Sequence, residues 1–357
     1  MSRTIMIMAG GTGGHIYPAL SVAEYLGGQG WNVVWLGARD GMEARLVPPK
    51  GYAMAWVRMS GVRGKGWLRQ LLLPAKLLVA FWQSARAIFL HRPDVVLGMG
   101  GYVTFPGGMM ASFLNRPLVI HEQNAVAGLA NRVLARLADR VLVAFPDAFG
   151  PSTAVIWTGN PVRSEIAALA APQIRYGSRR GRLGVLVIGG SLGASVLNEI
   201  VPQALGLLPE ESRPQVTHQS GAAHIEVLRE NYRKAGVTAE LVPFIDDMAA
   251  RYAAADLVIC RAGASTVSEL AAAGVASVLV PYPHAVDDHQ TRNAYYLVER
   301  GAALLLPQHE FTPRKLAELI GGLTRDRLSA MAQAARAAGK PEATRAVAEI
   351  CRELALA

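Results

Sequence analysis

The 357-residue chain is 51% hydrophobic and 18% charged, which excludes a disordered protein and gives more apolar surface than one ordinary domain of about 100 to 200 residues buries. Its net charge of +9 asks for an anionic partner. Cys260 and Cys351, its two cysteines, exclude a disulfide framework and paired metal-ligand spacing and fit a reducing cytoplasm.

Residues 5–8, Ile-Met-Ile-Met, read as a short buried strand rather than the start of an export signal. Glycines follow at once in Gly10-Gly-Thr-Gly-Gly-His15, and residues 18–26 read as a helix. A glycine turn from a buried strand into a helix lets backbone approach a ligand and aims N–H groups at an anion. His15 stands at the helix start, where a neutral imidazole can take a proton from a substrate hydroxyl; the plainer reading is a capping or packing histidine. The loop lacks the G-x-G-x-x-G spacing, and no acidic residue ends the second strand, where Leu36-Gly-Ala-Arg-Asp40 stands, so a nicotinamide enzyme is disfavoured.

The positive charge is concentrated early. Up to Asn160 there are 15 basic and 7 acidic residues, and after it 21 and 20. No acid lies between Glu43 and Asp94, an interval that holds Lys65, Arg69, Lys76 and six further cations interleaved with Trp67, Leu71, Leu78, Phe81 and Trp82. We read this stretch as an amphipathic surface, with a helix starting at Pro74, that meets an anionic membrane face. Residues 71–82, the longest apolar run, are interrupted by Pro74 and Lys76 and fall short of the roughly 20 residues a spanning helix needs. A nucleic-acid partner is not expected, because the charge is confined to one segment.

A second glycine cluster, Gly98-Met-Gly-Gly-Tyr-Val-Thr104, follows the strand at residues 95–97, and its density at a strand's carboxyl end suits a diphosphate or, more plainly, a tight packing turn. His121-Glu-Gln-Asn124 follows the next strand, with Glu122 as either a base or an orienting group. The turn at Thr158-Gly-Asn-Pro-Val162 leads to a hinge between Gly159 and Arg182, after which residues 185–188 and the glycines behind them repeat the opening strand, turn and helix. Further apolar runs at residues 33–36, 118–120, 141–143, 257–259 and 277–280 alternate with helical stretches. The expected fold is therefore α/β, two doubly wound parallel-sheet domains facing a cleft.

In the second half, Arg261-Ala-Gly-Ala-Ser-Thr-Val-Ser-Glu269 turns from strand into helix and reads as a phosphate seat, with Glu269 placed for a ribose diol. The polar run from Pro281 to Asn293 offers Gln290 and Asn293 to sugar hydroxyls. Its His284, Asp287, Asp288 and His289 raise a metal as the lesser alternative.

Together, Gly10 to His15, Gly100-Gly-Tyr-Val103, His121 to Asn124, Gly159-Asn-Pro-Val-Arg163, Gly189-Gly-Ser191, Phe244-Ile-Asp-Asp-Met248 and Thr266 to Glu269 resemble the MurG family of bacterial glycosyltransferases. The resemblance implies the GT-B fold, with an acceptor and membrane-facing domain at 1–160, a UDP-sugar domain at 161–340 and a C-terminal helix within 341–357 packing back toward the first. It implies inverting transfer of N-acetylglucosamine from UDP-N-acetylglucosamine to lipid I, giving lipid II for peptidoglycan. Also implied are no required metal or cofactor, peripheral attachment at the cytoplasmic face of the cell membrane, and other cell-wall synthesis proteins as partners.

Residue by residue, the resemblance assigns uracil to the Ile245 backbone, ribose to Glu269, and the diphosphate to Arg163, Ser191 and the turn at Ala264, Ser265 and Thr266, which continues into Val267 and Ser268. Gln290 and Asn293 would hold the sugar, with Thr12, Gly13, Gly14 and Asn124 approaching it. The acceptor diphosphate would meet Gly13, Gly14, Gly100, Gly101 and Tyr102, with His15 or Glu122 assisting the attacking hydroxyl. Phe105 departs from the family, where glycine is common, and Ser265 stands where leucine is common. The alternatives are another GT-B lipid glycosyltransferase, a UDP-sugar epimerase, or a protein that binds a nucleotide sugar without catalysis.

Overall fold

The computed structural model describes residues 2–59, 73–190 and 192–356. It divides into two compact units, Met1–Arg163 with Pro341–Ala357, and Ser164–Lys340.

The first unit is built on seven parallel strands: β1 (Thr4–Met8), β2 (Asn32–Gly37), β3 (Ala53–Trp56), β4 (Val95–Gly98), β5 (Leu118–Glu122), β6 (Arg140–Val143) and β7 (Ile156–Trp157). They lie in the order β3-β2-β1-β4-β5-β6-β7. Successive strand side chains point to opposite faces. Ile5 and Ile7 therefore join the core under helix Gly13–Gly28, whereas Met6 and Met8 join Ala80, Ala87 and Ile88 of helix Leu73–His91 on the other face. Both faces are covered, which is why β4 and residues 5–8 of β1 are apolar rather than alternating.

The last helix, Ala343–Leu354, belongs to this unit. Its Val347, Ala348 and Cys351 are buried in the same core as Ile5 and Ile7. Arg3 donates to the Ala355 carbonyl at 2.7 Å, and the Thr344 hydroxyl donates to Val162 O at 3.0 Å. Helix Gly13–Gly28 starts five residues before the helix expected at 18–26, so Gly13, Gly14 and His15 form its first turn.

The second unit has six parallel strands, β8 (Gly184–Ile188), β9 (Gln215–Gln219), β10 (Glu240–Val242), β11 (Leu257–Cys260), β12 (Ala276–Leu279) and β13 (Ala303–Leu305), in the order β10-β9-β8-β11-β12-β13. Asp256, buried just before β11, accepts from Arg179 at 2.7 Å, Arg325 at 3.3 Å and the Gly184 amide at 2.8 Å. Helix 195–206 is tied to β9 by a buried polar group: His218 bonds Asn198 Oδ1 through Nε2 (3.1 Å) and the Tyr232 hydroxyl through Nδ1 (3.0 Å). Both units are thus doubly wound, and each sheet reverses its winding direction beside its first strand, between β1 and β4 and between β8 and β11. Such switch points open a crevice at the strands' carboxyl ends, where ligands of this architecture bind.

Candidate active site

At the first unit's switch point the two glycine loops fit into one another. The Gly10 amide donates to Gly100 O at 3.3 Å, and Gly101, at φ +86°, comes so near that a Cβ there would lie 2.2 Å from Gly10 O. Only glycine allows this joint. The Tyr102 ring lies over Gly11, 3.2 Å from where a Cβ would stand. Thr12 is the N-cap of helix Gly13–Gly28, and its hydroxyl makes no capping bond.

Glu43 is a residue the sequence reading passed over. Fully buried, its carboxylate accepts from the Gly11 amide at 3.1 Å and the Ala38 amide at 2.9 Å, so it holds the loop after β1 to the loop after β2. A single glutamate three residues after Asp40 gives no sequence pattern that would reveal this role.

His121, Glu122, Gln123 and Asn124 divide into two sets. The Glu122 carboxylate accepts four donors: the Asn124 amide (2.9 Å) and side chain (3.3 Å), the Gly128 amide (3.1 Å) and Asn131 Nδ2 (2.9 Å). With both oxygens engaged and the side chain buried, Glu122 fits the orienting alternative, shaping the loop that carries Asn124. His15 and Gln123 meet instead, with His15 Nδ1 2.9 Å from Gln123 Oε1. An amide oxygen only accepts, so in the neutral imidazole Nδ1 carries the proton and Nε2 the lone pair. Nε2 has no hydrogen bond among the described residues, and this arrangement can accept a proton from a hydroxyl.

In the second unit, helix Ala264–Ala273 begins beyond β11 with Gly263 as its N-cap, and Ala264, Ser265 and Thr266 form its first turn. Their amides and the helix dipole suit an anion. Val267 is buried beneath them, and Ser268 and Glu269 follow on the same helix. Glu269 accepts from the Tyr252 hydroxyl at 3.1 Å, which orients its carboxylate. Gln290 Oε1 accepts from the Tyr282 amide at 2.9 Å. Asn293 is fully buried and donates to Ala262 O at 3.2 Å, at the turn before the anion seat. Ile245 lies on the loop after β10 and is nearly buried, and Arg163 closes the first unit. Ser191 lies outside the described residues.

Among the described residues no group of three or more His, Cys, Asp or Glu side chains could hold a metal, so His284, Asp287, Asp288 and His289 do not converge. Of the basic stretch, Lys65, Trp67, Arg69 and Leu71 lie outside the described residues. Lys76, Leu78 and Trp82 are exposed on helix Leu73–His91, Leu78 by 70% and Trp82 by 63%. Phe81 turns inward and packs on Phe105 with ring centroids 6.0 Å apart. Val79, Phe89 and Leu90 are exposed on the same helix, and Arg86 stacks over Trp82 at 5.8 Å. Helical spacing from Leu78 and Trp82 would have found them.

The sequence matches the glycosyltransferase family 28 N-terminal domain over residues 5–143 and the glycosyltransferase family 28 C-terminal domain over 184–350. The chain belongs to glycosyltransferase family 28. Within it, the chain is 62% identical over 354 residues, 99% of both chains, to a Cupriavidus metallidurans protein named UDP-N-acetylglucosamine--N-acetylmuramyl-(pentapeptide) pyrophosphoryl-undecaprenol N-acetylglucosamine transferase. A Nitrosospira multiformis protein of the same name is equally similar over the same shares of both chains. The crystal structure of Acinetobacter baumannii MurG superposes with a TM-score of 0.86 at 43% identity, covering 98% of this chain and 99% of that one. Both family 28 domains thus lie on doubly wound units, in agreement with the expected GT-B fold.

Proposed function

We propose that the chain transfers N-acetylglucosamine from UDP-N-acetylglucosamine to undecaprenyl-diphospho-N-acetylmuramoyl-pentapeptide, with inversion at the anomeric carbon. The observation that carries this is the 62% identity, over 99% of both chains, with a transferase named for that reaction. The muramoyl O4 hydroxyl attacks C1 as its proton passes to His15 Nε2. The C1–O bond to the diphosphate breaks, and its electron pair leaves with UDP. Charge growing on the leaving group meets the first-turn amides at Ala264 to Thr266 together with Arg163 and Ser191. Glu269, oriented by Tyr252, takes the ribose, the Ile245 backbone takes uracil, and Gln290 takes the sugar. Thr12, Gly13, Gly14 and Asn124 approach the sugar, while Gly100, Gly101 and Tyr102 face the acceptor diphosphate.

Purified protein given UDP-N-acetylglucosamine and a lipid I analogue should release UDP and form the disaccharide product in equal amounts. Tight donor binding without UDP release would instead identify a binding protein, and release of a C2-epimerised sugar an epimerase.

The acceptor's lipid tail gives the exposed face of helix Leu73–His91 its role. No helix of the described residues is long and apolar enough to cross a membrane, and Leu78, Val79, Trp82 and Leu90 beside Lys76 and Arg86 suit a contact lying on an anionic leaflet. Each cation there contributes about 1 kcal/mol. Reversing both Lys76 and Arg86 to glutamate should therefore lower flotation with phosphatidylglycerol vesicles by about tenfold or more, and unchanged flotation overturns the membrane reading.

A further inference from the structure

Behind His15 runs a chain of hydrogen bonds that ends on the backbone. The Gly159 carbonyl lies 2.9 Å from His121 Nε2, and Gln123 Nε2 lies 3.1 Å from His121 Nδ1 and 3.2 Å from His121 O. His121 is fully buried, and burial pushes its imidazole down to about 4, so it is neutral near pH 7. Every proton along this chain then has one possible place. The carbonyl can only accept, so His121 carries its proton on Nε2 and Nδ1 is an acceptor. Gln123 must turn its amino group to that nitrogen, which aims Oε1 at His15. Oε1 can only accept, so His15 carries its proton on Nδ1. Gly100 supplies an independent constraint: at φ +97° it leaves the imidazole just enough room, for a Cβ would sit 2.6 Å from His15 Nδ1.

We infer that Gln123 and His121 are positioning residues that transmit the acceptor polarity of the Gly159 carbonyl to His15, fixing it as the Nδ1–H tautomer with its Nε2 lone pair presented to the acceptor hydroxyl. The catalytic part of this rests on His15 acting as the base. The tautomer part does not. A neutral imidazole in water favours the other tautomer, which would place a proton where the base needs a lone pair. The device thus serves as the carboxylate does in a Ser-His-Asp triad, orienting the ring and choosing its tautomer, but it uses neutral groups and adds no charge beside a diphosphate.

The test reads the His15 tautomer directly by imidazole ¹⁵N–¹H correlation, with the signal assigned by its loss in His15→Ala. In the unmodified protein His15 should be the Nδ1–H form. Gln123→Ala should shift it toward Nε2–H and lower kcat by about 10- to 100-fold with donor KM nearly unchanged. Gln123→Glu, which keeps an acceptor oxygen for Nδ1, should retain the Nδ1–H form. Gly100→Ala, which closes the aperture, should reproduce the alanine result. A His15 that is Nε2–H in the unmodified protein overturns the inference without recourse to any variant. So does a Gln123→Ala protein whose kcat is unchanged, or whose kcat falls while the tautomer stays the same. Unimpaired turnover by His15→Ala would instead remove the base assignment and leave the tautomer to be judged alone.

Discussion

His15→Ala should lower kcat by about 10²- to 10⁴-fold while leaving the KM for UDP-N-acetylglucosamine nearly unchanged. General-base assistance is typically worth that factor, and a group that acts only in the transition state lowers kcat and kcat/KM together. The groups proposed to hold uracil, ribose and diphosphate are Ile245, Glu269 and the turn at Ala264 to Thr266, none of which needs the imidazole. Steady-state kinetics with donor and acceptor varied separately checks the split, and an unaltered kcat would sink the role of base. Glu122 gives a contrast. Its carboxylate joins the Asn124 and Gly128 amides to Asn131, so Glu122→Gln, which turns acceptor positions into donors against donors, should lower stability as well as activity.

Both units should lose stability together as the pH falls from about 6.5. His121 in the first unit and His218 in the second are buried and neutral, with burial pushing the former down to about 4 and the latter to about 3 from an ordinary 6.5. Below pH 6.5 the unfolded chain binds protons at both positions while the folded chain does not. The stability is fully present above that pH and is lost progressively as the pH falls toward the folded values. Each histidine costs about 1.4 kcal/mol per pH unit, or roughly 3 to 5 kcal/mol over its whole range. Thermal unfolding between pH 7 and 5.5, where carboxylates remain ionised, should show a falling midpoint. His218→Gln should flatten the fall for the second unit even if its own midpoint is lower. A midpoint that does not move over this interval would refute the assignment of either imidazole as neutral.

Much of the frame was open to view in the residue order. Runs such as Ile5 to Met8, Val95 to Leu97 and Leu257 to Ile259 are apolar without alternation because both sheet faces are covered, and the glycines behind them mark where backbone must approach backbone or ligand. By contrast, β7, β9, β10 and β13 are short or carry polar residues, as in Gln215-Val-Thr-His-Gln219. Their strand character comes from hydrogen bonds to a neighbouring strand, which no local pattern records. Phe81 and Trp82 show the same limit: adjacent in sequence on one amphipathic helix, they part because Phe105 packs against the first while the second stays exposed beneath Arg86.

The sequence by itself determined two doubly wound units and the glycine loops at their switch points, and it raised the proposals of an anion seat before Glu269 and of His15 or Glu122 as base, since these rest on residue type and short spacing. Tertiary structure alone decided that Glu122 is engaged by four donors, that Asn293 donates to Ala262 O, that Glu43 holds the first glycine loop and that Gln123 joins His15 to His121. Some of these hydrogen bonds are local, as between Glu122 and Asn124, and others join segments brought together by the fold, as between His15 and Gln123. Donor or acceptor character belongs to the residue, but the partner that uses it is chosen only when distant segments meet in a place without water.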